Sequence, residues 1–393
     1  MRKLIIVVFI FILSFTTDIF AEVKIGVILG FTGPIETLTP AMAASAEVAF
    51  KEASDSGSLL GGEKISVIRA DSTCIDSAVA TAVAEGVVAQ GVVAIMGGGD
   101  CPDVTSAIAS KVVPNGVVMI SPSATSPVLK TLDDKGYFFR TAPSDARGGQ
   151  ILADITNDRK VKSVAITYTN NDYGKSLADV YKTAVEAYGI KVTVVNAHED
   201  GKEDYSSEVA TLALAGGDAV AIIGYHDQGG KGIIQASLDS GTFDRFILSD
   251  RMIDQSLIDA FGKDLRKSFG TIPGSTGKGA GAFAGIAKTA GIDSSSPYTH
   301  ESYDAAALIV LAIQAGNSPD RTSIAKHVMD VANSPGTKIY PGELKKALDL
   351  LAKGKKVDYE GATGVTFTSV GEAEGSFLEQ EVKSGKFKTK KQR

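Results

Sequence analysis

The stretch VKIGVILGFTGPIETLTPAMAASAEVAFKEA, residues 23–53, decides the fold. It opens with residues 23–29, where Val, Ile and Leu are interrupted only by Lys24 and Gly26. A run that is apolar on both faces reads as a strand buried inside a sheet. Gly30 to Pro34 then breaks the run. Thr39-Pro40 reads as an N-cap followed by proline at the first helical position, opening a helix to about Glu52.

Outward from this unit the same order recurs. Residues 64–70, 92–96 and 117–120 are strand-like. Asp76 caps a helix over 77–89, and Asp103 opens another to about Lys111. This β-α-β-α-β order predicts a parallel sheet with helices on both faces. The alternation restarts with strand candidates at 163–168, 191–195, 219–223 and 245–248, with helices over 174–188, 205–215 and 230–240 between them. Helical stretches at 280–290, 302–314, 323–331 and 342–352 follow without clear strands, so they must pack back on one of the two units. Residues 364–387 read as strand and turn. The expected fold is therefore α/β, with two Rossmann-like lobes built on parallel sheets.

Open α/β sheets bind ligands at the carboxyl ends of their strands. The polar, Gly-rich segments 30–34, 97–103, 121–127, 169–174, 224–230 and 249–251 each follow an apolar strand. They are the expected walls of one cleft.

The chain has 393 residues and a formal net charge of −6. Arg2 and Lys3, the apolar run 4–13, the polar break from Ser14 to Asp18 and Ala21 predict a signal peptide over 1–21, cleaved before about Glu22. That places the mature protein in the periplasm. No cysteine follows the apolar run, so no lipid anchor is expected there, and no second apolar run is long enough to span a membrane. Mild acidity without a clustered basic face argues against nucleic-acid binding. The basic residues at the carboxyl end (Lys383, Lys386, Lys388, Lys390, Lys391, Arg393) read as a solvated tail. Cys74 and Cys101, an even pair in an oxidising compartment, read as one disulfide.

Catalytic patterns fail one by one. His300-Glu301-Ser302-Tyr303-Asp304 has Asp where a helical zinc motif needs its second His. Gly274-Ser275-Thr276-Gly277-Lys278-Gly279 departs from a phosphate loop, with Ile272 for the first glycine and Gly279 for the Ser or Thr. There is no Gly-x-Ser-x-Gly elbow, and no Gly-x-Gly-x-x-Gly after the first strand. No enzyme activity, metal or cofactor is expected.

Ile120-Ser121-Pro122-Ser123-Ala124-Thr125-Ser126-Pro127 resembles the serine/threonine loop of the branched-chain (leucine/isoleucine/valine) amino acid binding proteins, the solute-binding components of ABC importers. Gly30-Phe31-Thr32-Gly33-Pro34 resembles the same family's opening loop, and Asn170-Asn171-Asp172-Tyr173-Gly174 its tyrosine–glycine turn. Cys74 and Cys101 match the position of its disulfide. The resemblance implies a type I periplasmic binding fold with a multi-crossing hinge. Its lobes would be residues 22–141 with 274–361, and residues 142–273 with 362–393. It implies an amino acid ligand held between closing lobes by Ser123, Thr125, Tyr173, Tyr225 and Asp250, with Asp250 receiving the ammonium. It also implies a monomer that delivers to ABC permease subunits. Pro102, Asp100, Asp103 and Leu38 depart from the pattern. Proline supplies neither the hydroxyl nor the N–H that the family's serine gives the ligand carboxylate. Thr105 is expected on a helix surface. A binder of urea or short amides, a sensory ligand-binding protein and a periplasmic hydrolase are the competing readings.

Overall fold

The computed structural model describes residues 22–393. The expected signal peptide, residues 1–21, lies outside the described residues. The chain begins with β1 (Val23–Leu29), α1 (Thr39–Asp55), β2 (Ile65–Asp71), α2 (Ser77–Ala89), β3 (Ala94–Gly97), α3 (Pro102–Val112), β4 (Val118–Ser121) and β5 (Phe138–Pro143). The strands form a parallel sheet in the order β2-β1-β3-β4-β5. Every β1 residue except Lys24 is buried, as its composition dictates. The register sets Leu29 beside Asp71 and Ile28 beside Gly97. The loops after three strands therefore meet at one sheet end.

Capping follows local chemistry. Asp76 accepts from the N–H groups of Ala78 at 2.8 Å and Val79 at 3.0 Å, as expected of an N-cap. Thr39 does not cap α1; Leu38 holds that position without a side-chain bond. The Thr39 hydroxyl instead donates to the Gly30 carbonyl at 3.1 Å and ties the helix start to the end of β1.

The second lobe runs α4 (Asp145–Asp158), β6 (Ser163–Thr169), α5 (Asp172–Ala187), β7 (Lys191–His198), α6 (Ser206–Ala215), β8 (Ala219–Ile223), α7 (Gly229–Ser240), β9 (Phe246–Leu248), α8 (Gln255–Phe261) and β10 (Phe269–Pro273). Its parallel order is β7-β6-β8-β9-β10. The chain then returns through α9 (Lys278–Ala290), α10 (Thr299–Ala315), α11 (Arg321–Ala332), β11 (Thr337–Ile339), α12 (Leu344–Leu351) and β12 (Val357–Tyr359), which share the first lobe's core. Every residue of α10 from Glu301 to Gln314 is buried, because its Ala, Leu, Ile and Val leave it no polar face to turn to solvent. Two short strands, β11 and β12, stand where none was expected, paired with each other in parallel.

Two expectations about the carboxyl end are corrected. Residues 362–393 do not all join the second lobe. The strand β13 (Glu372–Ala373) pairs in parallel with β5, and Val365 and Phe367 lie in the first core. The last passage between sheets thus falls between Ala373 and β14 (Phe377–Lys383). The basic end is not a loose tail either. It forms β15 (Lys386–Gln392), antiparallel to β14 at the edge of the second sheet, so that sheet is mixed. Arg393 donates to buried Glu379 at 2.5 Å, while the lysines stay exposed, as suits an edge that must not pair further. Among the described residues, no helix is long and apolar enough to cross a membrane.

Candidate functional site

The loop after β4 is shaped before it meets any ligand. Ser121 Oγ accepts the Ala124 N–H at 3.1 Å and closes the turn. Arg140 of β5, buried beneath it, donates to the carbonyls of Ala124 at 3.0 Å and Ser126 at 2.8 Å and pairs with Glu372. The Thr125 hydroxyl consequently points at Asp145, donating to Oδ2 at 2.9 Å, while the Asp145 N–H donates back to the Thr125 carbonyl at 2.8 Å. The Ser123 hydroxyl donates to Asp100, whose other oxygen accepts the Gly30 N–H at 2.8 Å.

The second lobe brings its groups to the same place. Asn171 caps α5, accepting the Gly174 N–H at 2.9 Å, and its side-chain amide donates to the Tyr225 hydroxyl at 3.0 Å. A Cβ at position 174 would fall 2.2 Å from the Thr169 carbonyl, so the turn requires glycine. Tyr173 in the first turn donates to Asp250 Oδ1 at 2.6 Å. The other Asp250 oxygen accepts from Tyr298. The Tyr173 and Tyr225 rings stand 5.7 Å apart. All five residues expected at the site are buried, Ser123 and Thr125 on one side and Tyr173, Tyr225 and Asp250 on the other. The Cys74–Cys101 disulfide, with Cα atoms 5.2 Å apart, packs against the same tyrosines.

Sequence reasoning put Asn171 and Arg251 in the expected cleft walls without giving either a role, and missed Tyr298 and Asp145. A clue to Arg251 was present, in an Asp-Arg pair directly after an apolar strand. Asp145 reads as one more helix-opening acid, and Tyr298 lies in a distant loop with no local signal. Thr105 is also misplaced by the sequence. It is buried, and its hydroxyl donates to the carbonyls of Gly99 and Cys101.

The cleft is rich in carboxylates under strain from burial. Asp145 is pushed up to about 7, first by burial and then by the charge of Asp250, against the pull of Thr125, Arg251 and Arg140. Burial also raises Asp100. At the cleft mouth Asp103 of α3 meets Asp172 of α5, and burial, followed by that like-charge contact, raises Asp103. An acid whose folded pKa is raised favours the folded state below its unfolded pKa, and this contribution is lost as pH rises through the folded value. Raising the pH from about 4 through about 7 is therefore expected to lower the melting temperature of the unliganded protein. Asp145→Asn should flatten that dependence. An identical slope in wild type and variant would locate the titration elsewhere.

Residues 22–374 match the periplasmic binding protein family. The chain is 31% identical to the Leu/Ile/Val-binding protein homolog 3 of Brucella melitensis over 56% of its own length, and spans 58% of that relative. The leucine binding protein LivK of Thermotoga maritima shares the fold with a TM-score of 0.78 at 22% identity, over 94% of this chain and 98% of that one. A solute-binding protein from R. palustris, solved in complex with 4-hydroxybenzoate, shares it with a TM-score of 0.76 at 17% identity, over 95% and 97% of the two chains. With both lobes and nearly all the described residues inside the family match, the chain belongs to the periplasmic binding protein family.

Proposed function

We propose that this chain is the exported solute-binding component of an ABC importer, taking an amino acid with a small aliphatic or polar side chain between its lobes. It works as a periplasmic monomer, freed by cleavage of the 1–21 signal peptide. It hands its ligand unchanged to permease subunits and uses neither cofactor nor catalysis. One observation carries this reading: hydroxyls and carboxylates from both lobes are buried together where the lobes adjoin, with Thr125 bonded to Asp145 and Tyr173 to Asp250. A zwitterion removed from water needs charge-assisted partners at both ends. A carboxylate has about four acceptor positions, so Asp250 can take an ammonium in addition to the hydroxyls of Tyr173 and Tyr298. Thr125 adds a hydroxyl from the facing lobe, Ser123 adds its backbone, and Tyr225 closes the wall.

The test is calorimetric titration of protein unfolded and refolded to strip any carried ligand, against the twenty amino acids, urea and short amides. Branched-chain amino acids are expected to bind, and Asp250→Asn to weaken them about 10–100-fold, the size of one charge-assisted hydrogen bond. Binding of urea or amides alone, or an unaltered Asp250→Asn variant, would overturn the amino-acid assignment.

A further inference from the structure

Arg251 has an environment that contact between the lobes alone does not account for. Its side chain is 1% exposed. Its guanidinium lies 4.2 Å from the centre of the Tyr173 ring and 5.7 Å from that of Tyr225. It crosses the cleft to the opposite lobe, donating through Nη2 to the carbonyls of Asp100 at 2.7 Å and Ser123 at 3.0 Å, and through Nη1 to Cys101 Sγ at 3.6 Å. Its Nε–H is buried without any hydrogen-bond partner. Among the described residues, no carboxylate forms a salt bridge with it. The nearest in sequence, Asp250, is engaged by the hydroxyls of Tyr173 and Tyr298. A guanidinium is always charged, and burying a charge without a counter-ion is costly. The other buried arginine at the site, Arg140, has its ion pair with Glu372.

Across the cleft, among the described residues, the first lobe offers no unpaired cation, and the start of α3 offers no N–H at its first residue. Pro102 opens α3, buried, with no N–H to offer. Asp100 beside it adds a carboxylate. The carbonyls of Asp100 and Ser123 and the Asp100 carboxylate thus face the second lobe as acceptors, and Arg251 is, among the described residues, the buried cation without a salt bridge.

We propose that Arg251 receives the carboxylate of the ligand, through its free Nε–H and the remaining Nη1–H, and thereby selects for carboxylates. The inference rests on the solute-binding reading of the cleft and deepens it. Acids at the ammonium end and a guanidinium at the carboxylate end make complementary halves for an amino acid. A carboxylate without an ammonium satisfies Arg251 equally. Leucine and 4-hydroxybenzoate, the ligands named for two proteins of the same fold, have only the carboxylate in common among charged groups.

The test measures affinities of wild type, Arg251→Gln and Arg251→Lys for leucine, leucinamide, 4-methylpentanoate and 4-hydroxybenzoate. Far-UV circular dichroism and melting confirm that each variant folds. Arg251→Gln is expected to weaken carboxylate ligands about 10–100-fold. Arg251→Lys, which keeps the charge without the fork, should recover part of the loss. Wild type should prefer leucine to leucinamide, and Arg251→Gln should erase that preference. If leucine and leucinamide lose affinity equally in Arg251→Gln, the arginine is only an interlobe contact and the proposal falls. It also falls if wild type binds none of the three carboxylates. If wild type ignores leucine, yet binds a carboxylate lacking an ammonium in an Arg251-dependent way, the amino-acid reading fails and the assignment of Arg251 stands.

Discussion

Asp304→Ala is expected to cost about 3–5 kcal/mol of folding stability, the sum of two backbone N–H groups left buried and unpaired at ~1–3 kcal/mol each and a small cavity. Asp304 lies on α10 with no exposed surface. One of its oxygens accepts from the Tyr359 hydroxyl at 2.9 Å and the Ala362 N–H at 2.7 Å. The other accepts from the N–H of Thr363 at 2.9 Å and its hydroxyl at 2.8 Å. Burial pushes the carboxyl up to about 6 even though these four bonds favour the anion. The carboxylate thus fixes the turn that follows β12, where Gly361 has a left-handed φ of +61° and a Cβ would fall 2.5 Å from Asp304 Oδ1. Alanine removes every acceptor at once, whereas asparagine keeps one oxygen and turns an N–H₂ toward the remaining donors. Asp304→Asn should therefore lose about half as much. Urea unfolding monitored by circular dichroism gives the comparison. A loss under 1 kcal/mol for Asp304→Ala would mean that the turn is held by its packing, with Val365 and Phe367 in the first core as its anchor.

What could be read in the sequence, and what could not, divides along physical lines. β1 and β8 were legible because a strand buried on both faces must be almost wholly apolar, and β8 is apolar throughout while β1 has only Lys24 as an exception. The Asp76 cap was legible because capping is local. β5 was missed because its FFRTAP sequence carries Arg140 and Thr141 in a fully buried strand. These are satisfied by the loop carbonyls, Glu372 and the Glu301 carbonyl, partners 14 to 232 residues away. β13 is two residues long, too short for any periodicity, and exists only because β5 offers it an edge. The residues expected from the resemblance are all buried, and Tyr173 bonds directly to Asp250. The groups bonded around them, Asp145, Tyr298 and Arg251, could not be read because each takes its partners from the opposite lobe or a distant segment. Arg251 illustrates this best. Beside Asp250 in sequence it looks like a neutral pair, yet in space the two side chains diverge, Asp250 to two tyrosines and Arg251 across the cleft.

Replacing both cysteines by alanine is expected to remove about 3.6 kcal/mol of stability, from the loop-closure entropy that a bridge of this span takes from the unfolded chain. The bridge joins residues 27 apart. It also fastens a turn that the backbone would not choose unaided: Thr73 and Cys74 have φ of +61° and +67°, in the left-handed region that a β-branched residue avoids. The Thr73 carbonyl approaches Gly33 so closely that a Cβ there would lie 2.3 Å away, so the turn also positions the opening loop. Cys101 is the N-cap of α3, and its sulfur meets the Tyr225 hydroxyl at 3.7 Å and Arg251 at 3.6 Å. Loss of the bridge is therefore expected to weaken ligand binding as well as stability. A bridge that acts only on the unfolded chain would lower the urea midpoint and leave calorimetric affinity at wild-type strength. One that also shapes the cleft rim lowers both, and adding reductant to wild type should reproduce the pair of effects without any substitution. If reduction shifts the midpoint alone, the rim is held by α3 and the Asp71 carboxylate, which accepts the Thr73 N–H at 2.9 Å and the Thr32 hydroxyl at 2.6 Å.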